Sequence, residues 1–579
     1  MGDYEKEQAR LLRLFEEVEP DEDPIDEESE NEEDGIEAQL ENSDTEQDAD
    51  SSDSEGNEEG SSKTTRVPSF TGKDGQTVWK KSVPNRKVRT RRHNIVIHLP
   101  GVRPHGKHAT TAMECWGLFF SREILELLVE NTNKMINRVA DHFSRSRDAK
   151  PTDLVEIKAL LGLLYLAGCL KSSRLSVEEL WTTDGTGVER FWLTMSKERF
   201  LFLLRYLRFD DKETREQRRA IDKLAPIRNL FDIFVENCKK YYTVSEYTTI
   251  DEKLEAFRGR CGFKQYIPNK PSKYGVKIFA LVDAKTMYTQ NLEVYVGKQP
   301  DGPYCFPNDA KSIVERIVAP ISGTGRNVTC DNWFTSFPLI LKLKTDHKLT
   351  LVGTVRKNKK ELPAEFVNTK ARPLQSTMFG FQEETTILSY VPKKGKNVIL
   401  ASSMHHDDKI DMSTGEKFKP EIITFYNCTK GGVDTVDKLC ATYNVARNTR
   451  RWPMVIFFSL MNLAGINSQI IAKANGSSNV SVRRLYLKNL ALALTEDHLR
   501  RRAQVTNIPR RVRERRQEVA GISSSTVVAP SPPGTRKRCH FCSKDSKTKY
   551  TCKKCNKFLC LSHAEMLCPQ CVRIHEEEF

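Results

Sequence analysis

The spacing of apolar residues changes character twice along this chain, and each change excludes a uniform architecture. Over residues 111–139, 152–170 and 197–207 apolar side chains recur at helical spacing. From Glu246 the pattern turns β-rich, at 247–257, 274–283, 292–296, 327–330 and 349–355. Helix-compatible stretches at 310–318 and 337–344 lie between the later strands. Strands followed by helix, strand, helix and strand describe a mixed α/β unit. The polar, lysine-rich stretch 356–417 reads as an insertion, and 421–427 reads as one further strand. Helical spacing resumes at Val433 and runs to about Glu496. Ser176, Thr182 and Ser196 stand where helix caps are expected.

A chain of 579 residues exceeds one ordinary core. Its charge is divided unevenly. Residues 1–60 hold 26 acidic and 3 basic side chains, leaving 88 basic and 52 acidic in the other 519. A body that basic expects a polyanion, and nucleic acid is the usual one. Residues 1 to about 100 are too acidic and too poor in apolar groups to order, so they read as disordered. Their end, KKSVPNRKVRTRR from Lys80 to Arg92, suits a DNA-contacting arm or a nuclear address. The acidic N-terminus does not resemble a secretory signal. The most membrane-like segment, 454–472, is interrupted by Asn462, Asn467, Ser468 and Gln469, which favours a buried helix over a membrane span. Of 15 cysteines, seven fall between Cys539 and Cys571; the others are scattered singly, as in a reduced compartment.

Three segments place an aspartate where phosphoryl transfer could use it. Asp251 lies on a strand in TIDEKLEAFRGR, and Asp331 ends a strand in NVTCDNWFTS. Asp434 and Asp437 share one face at a helix start in KGGVDTVDKL. Three carboxylates from separate elements can hold two hard divalent ions about 3.5–4 Å apart. Each aspartate alone reads as an ordinary surface or helix-end charge; the case rests on the set.

These motifs, with GFKQYIPNKPSKYGVKI, LVGTVRKNK and ATYNVARNTRRWPM, resemble the piggyBac family of cut-and-paste transposases. The likeness runs from about Thr111 to the C-terminus. It implies an RNase H-like mixed-sheet catalytic domain with an insertion, flanked by helical dimerisation and DNA-binding segments and followed by a small cross-brace zinc domain. The implied boundaries are 1–104 disordered, 105–245 and 445–525 helical, 246–355 and 418–444 catalytic, 356–417 insertion, 526–537 linker and 538–579 cysteine-rich. The family's catalytic aspartates match Asp251, Asp331 and Asp434, and a further motif aspartate matches Asp437. The resemblance also implies Mg²⁺ or Mn²⁺, two ions per site held by Asp251, Asp331, Asp434 and Asp437, cleavage at terminal inverted repeats through a hairpin intermediate, insertion at TTAA, a homodimer and nuclear residence. The alternatives are a host-adopted DNA-binding protein without catalysis, and a zinc-finger ubiquitin ligase or chromatin reader.

Basic side chains cluster in sequence around the aspartates: Arg258, Arg260, Lys264, Lys270, Lys273 and Lys277 after Asp251, Arg356 and Lys357 after Asp331, and Arg447, Arg450 and Arg451 after Asp434. They are candidates for phosphate contact; Arg258 and Arg260 match family positions tied to handling DNA ends. Trp452 suits either base stacking or the core of the helix it leads. Asn332 and Thr335 suit a nucleotide contact or, more simply, a helix cap.

Residues 539–571 read C-x2-C-x9-C-x2-C-x4-C-x2-H-x4-C-x2-C. Cys539, Cys542, Cys552, Cys555, Cys560, His563, Cys568 and Cys571 suit two tetrahedral zinc ions. A crossed scheme joins Cys539, Cys542, Cys560 and His563 on one ion; a sequential scheme is the rival. So short a segment buries little, so metal would supply its folding free energy. In the family the corresponding domain binds the transposon's terminal DNA, and Lys544, Lys547, Lys549, Lys553, Lys554 and Lys557 fit that task.

Overall fold

The computed structural model describes residues 36–38, 68–84 and 98–565, apart from 174, 269, 271, 478–481, 506–507, 523–535, 543–545, 553–554 and 556. Two compact units emerge, Met1–His498 and Leu499–Phe579.

At the centre of the first unit is a mixed sheet. Its strands are β1 (Tyr247–Ala256), β2 (Lys264–Tyr266), β3 (Tyr274–Asp283), β4 (Thr289–Val294), β5 (Asn327–Cys330) and β6 (Thr350–Thr354). β3 is an apolar run buried along nearly its whole length, the signature of a strand covered on both faces. It pairs antiparallel with β1 on one side and with β2 and β4 on the other. β1 then runs parallel to β5, and β5 parallel to β6. The order β4-β3-β1-β5-β6 is that of the RNase H-like sheet the resemblance implied. A three-residue strand, Ile36–Ala38, lies parallel to β2.

The insertion extends this sheet. β7 (Thr377–Phe381), β8 (Thr386–Lys393) and β9 (Lys396–Ser402) form an antiparallel meander whose last strand pairs with β6. This occupies the edge where one more strand was expected at 421–427. That segment is instead the helix Glu421–Thr429. Ile422, Ile423 and Tyr426 fall on one helical face and bury against Val352, Leu388 and Leu400, so β-branched content misled the reading where burial on a filled sheet decided it. A second difference concerns residues 68–84, assigned by composition to a disordered region. Strands Ser69–Thr71 and Val78–Lys80 form a hairpin joined to β7. Trp79 is fully buried, packs on Phe337 at 5.4 Å and donates its indole N–H to the Glu361 carbonyl. One tryptophan supplies the apolar area that the surrounding composition lacks.

Helices from both sides of the sheet in sequence pack together. The Trp452–Ala474 helix is long and apolar enough to cross a membrane, yet 94% of its most apolar window is buried, as the polar interruptions suggested. Tyr165 on the Leu154–Cys169 helix accepts from the Trp116 indole at 2.9 Å and donates to the Met461 carbonyl at 2.6 Å. Ser176 and Ser196 cap helices as expected, whereas Thr182 ends one.

Candidate active site

Strand register brings two of the aspartates together. Ile250 on β1 is paired with Cys330 on β5, so Asp251 and Asp331, one step further along parallel strands, stand side by side. The carboxyl ends of parallel strands are where open α/β sheets bind ligands. Asp251 accepts the Glu252 N–H at 2.8 Å. Asp331 accepts the Trp333 N–H at 2.9 Å through its carboxylate and the Thr335 hydroxyl at 2.7 Å through its carbonyl. These bonds turn the chain into the Phe337–Thr345 helix. Its cap is Ser336, which accepts from Leu339, not Asn332 or Thr335.

The third aspartate arrives on a helix laid across β1. A Cβ on Gly432 would sit 2.6 Å from the Thr249 hydroxyl oxygen, so only glycine lets the Gly432–Thr442 helix come this close. Asp434 is exposed in its first turn, and Asp437, one turn on, meets Lys253 at 2.8 Å.

The electrostatics report the convergence. Burial, the neighbouring Glu252 and the Asp331 charge together push the Asp251 carboxyl well above the usual range. Burial disfavours the Lys270 ammonium, but the charges of Glu252, Asp251, Asp434 and Asp437 outweigh it and raise its pKa. One cation is thus within electrostatic reach of four acids from two elements. Glu252, itself buried, leaves one carboxylate oxygen without a hydrogen-bond partner. Side-by-side carboxylates with a buried, half-satisfied acid beside them fit a divalent cation. Among the described residues the aspartates do not close to mutual donor distances within 4.8 Å; the C-terminal cysteines do.

That second cluster is Cys539, Cys542, Cys560 and His563, the crossed quartet. The Cys542 and Cys560 sulfurs are 3.3 Å apart, and His563 Nδ1 lies 3.4 Å from Cys542 and 3.2 Å from Cys560. Hydrogen bonds from Ser562 and His563 draw the Cys560 thiol down to about 5, toward the thiolate a metal needs. The donor set fits zinc. Cys552 and Cys555 stand outside this group, and Cys568 and Cys571 lie outside the described residues. His540, outside the quartet, meets Arg510.

Residues 111–469 match the family model described as Transposase IS4. The chain belongs to the piggyBac-type transposase family. Human PiggyBac transposable element-derived protein 3 is 24% identical over 379 residues, 61% of this chain and 60% of that protein. Human PiggyBac transposable element-derived protein 2 is 22% identical over 351 residues, 58% and 57% respectively. The chain thus spans about 60% of the length of these curated relatives. The cryo-EM structure of a piggyBac transposase synaptic complex with hairpin DNA matches with a TM-score of 0.71 at 36% identity, over 82% of this chain and all of that one.

The basic residues of this chain sort by exposure. Arg258, Arg260, Lys273 and Arg450 are exposed, and Arg356 and Lys357 half-buried, with Arg356 donating to Asn332. Lys277 is a correction: it is fully buried, its ammonium 4.9 Å from the Phe279 ring centre and 4.8 Å from that of Trp333, so it supports the core beneath the site. Strand alternation placed it inward, and its charge misled the reading. Lys264 is buried too and donates to the Gly259 carbonyl. Trp452 is 4% exposed and packs edge-on against Phe263, so the core alternative holds and base stacking does not. Arg447 donates to the carbonyls of Ser172 and Leu175, and Arg451 to those of Leu204, Arg205 and Leu207; both tie the segment after the site helix to the helical shell. The basic segment 85–92 lies outside the described residues. Sequence reading missed Lys253 and Glu252, and the alternation of β1 around Asp251 was the signal that could have found them.

Proposed function

We propose that this protein is a cut-and-paste DNA transposase whose site is Asp251, Asp331 and Asp434. It excises an element at terminal inverted repeats through a hairpin intermediate and inserts it at TTAA. The observation that carries this reading is the parallel register of β1 and β5, which sets Asp251 beside Asp331 beneath the helix bearing Asp434. The likeness to a transposase assembled with hairpin DNA supports it. The three aspartates would hold two Mg²⁺ or Mn²⁺ ions, which supply activation of the attacking oxygen and stabilisation of the departing one in an in-line displacement. The protein's own part is to fix the carboxylates on rigid elements and to hold phosphates with exposed Arg258, Arg260 and Lys273. The cysteine-rich module would bind two zinc ions and terminal-repeat DNA. A homodimer acting in the nucleus completes the proposal, since two ends must be cut and joined.

Purified protein with Mg²⁺ is expected to cleave a DNA carrying its own terminal repeats. Asp331→Ala should abolish cleavage and spare end binding; equal cleavage by the variant would remove the site from consideration. A host-adopted, catalytically silent DNA-binding protein is the second reading, favoured by curated relatives described as transposable element-derived. End binding without cleavage in either Mg²⁺ or Mn²⁺ would select it.

A further inference from the structure

Lys253 is the least expected side chain near the site. Its side chain is 1% exposed, and lysine is almost never that buried without fixed partners. Thr249, Asp251, Lys253 and Glu255 share one face of β1, because side chains alternate along a strand. The Gly432–Thr442 helix lies on that face. At its start Gly432 abuts Thr249; further on Asp437 meets the Lys253 ammonium at 2.8 Å, and the Cys440 sulfur lies 3.9 Å from the same nitrogen. Asp434 sits between these two points of attachment, one turn before Asp437 on the same helical face. Lys253 also pairs with Glu255 at 3.2 Å, and Glu255 accepts the Ser459 hydroxyl at 2.6 Å from the Trp452–Ala474 helix. One buried ammonium therefore joins three elements: the strand of Asp251, the helix of Asp434 and a central helix of the shell.

We infer that Lys253 is a positioning residue for the carboxylate site, fixing the Gly432–Thr442 helix along β1 so that Asp434 faces Asp251, with Asp437 and Glu255 as its counter-ions. Asp437 then acts through Lys253 and is not a ligand of the divalent cation. This rests on the transposase reading above. The alternative, a salt bridge that contributes only to stability, makes different predictions.

The test uses the full chain and four variants: Lys253→Met, Asp437→Asn, Lys253→Met/Asp437→Asn and Asp434→Asn. Circular dichroism and melting temperature report folding, and end-DNA affinity reports binding. Tb³⁺ luminescence reports the cation site without turnover, and single-turnover cleavage in Mg²⁺ reports chemistry. Lys253→Met and Asp437→Asn should each slow cleavage about tenfold or more, as small misplacements of reacting groups do, with end-DNA affinity within about twofold. The double variant should lose no more than the worse single, because both act on one contact. Asp437→Asn should keep the Tb³⁺ response within about threefold, while Asp434→Asn loses it. Additive losses, or an Asp437→Asn protein as blind to Tb³⁺ as Asp434→Asn, would overturn the inference and make Asp437 a ligand. Should Lys253→Met fail to fold, Glu255→Gln approaches the ammonium from its other side. Slowed cleavage with intact Tb³⁺ binding in Glu255→Gln and Asp437→Asn supports the clamp; wild-type rates in both overturn it. A wild-type protein that neither responds to Tb³⁺ nor cleaves sinks the transposase reading instead.

Discussion

The proposed carboxylate site and the cysteine quartet both gather groups suited to metal from separated stretches of chain, yet they are held by opposite means. Asp251, Asp331 and Asp434 stand on elements whose neighbouring residues Ile250, Cys330 and Val433 are essentially fully buried. Sheet and helix hold these acids in place through their buried neighbours. The cost appears as burial together with repulsion from Glu252 and Asp331, which raise Asp251. In the second unit the quartet is braced by Lys537–Arg538 paired with Lys547–Thr548, while Phe541 and Leu561 remain 59% and 60% exposed. Among the described residues so little apolar surface is buried around the quartet that ligation would have to stabilise the fold. On the proposed reading, the fold of the first unit organises the ligands, and in the second the ligands organise the fold.

The most severe test of that contrast is removal of ligands from the module. Cys542→Ser, or a strong zinc chelator on the wild type, is expected to raise the rate of proteolysis within 536–565 more than about tenfold, since the bound metal is folding free energy. The melting of the Met1–His498 unit should move by less than about 2 °C. A module equally resistant without metal would break the comparison. Next in size, Trp79→Ala should cost about 3–5 kcal/mol by chemical denaturation, the toll of emptying a fully buried aromatic site. A loss below about 1 kcal/mol would show that the N-terminal hairpin is dispensable to the sheet.

A smaller effect separates preorganised carboxylates from ordinary ones. Folded Asp251 holds its proton more tightly than the unfolded chain does. The metal-free protein should therefore lose stability as pH rises from the ordinary carboxylate range through the raised one. Asp251→Asn removes that loss, raising the metal-free melting temperature by about 2 °C at neutral pH and hardly at all near pH 4. Unchanged melting at neutral pH would mean that the acids are not in conflict. Smallest is the contrast between two basic residues of the first unit. Arg258→Ala should reduce the salt slope of DNA binding by about one, whereas Lys277→Met should leave affinity within about twofold. An equal loss in Lys277→Met would contradict its burial.

Much of the site is legible in the amino-acid sequence. Asp251 and Asp331 stand out because polar residues interrupt apolar strand runs there, and Asp434 because it opens a helical run; those signals are written locally. The quartet is legible for a related reason, since paired cysteines at two-residue spacing carry their chemistry with them. Lys277 misleads, and Trp452 stays undecided, because a charge or an aromatic ring near a site in sequence says nothing about which way its strand or helix turns it. The helix at 421–429 is misread because its residues suit either element, and only the insertion's occupation of the sheet edge excludes a strand.

Periodicity and spacing act over a few residues, and they are enough to set most of the order of elements and to mark candidate acids and paired cysteines, while the role of the acids rests on the family resemblance. It took the folded chain to stand Asp251 and Asp331 abreast, to clamp Asp437 on Lys253 and to complete the sheet with a tryptophan from the N-terminal region. Those are contacts between residues about 80 to 280 positions apart, and they follow from strand register and burial, which no local stretch of chain encodes.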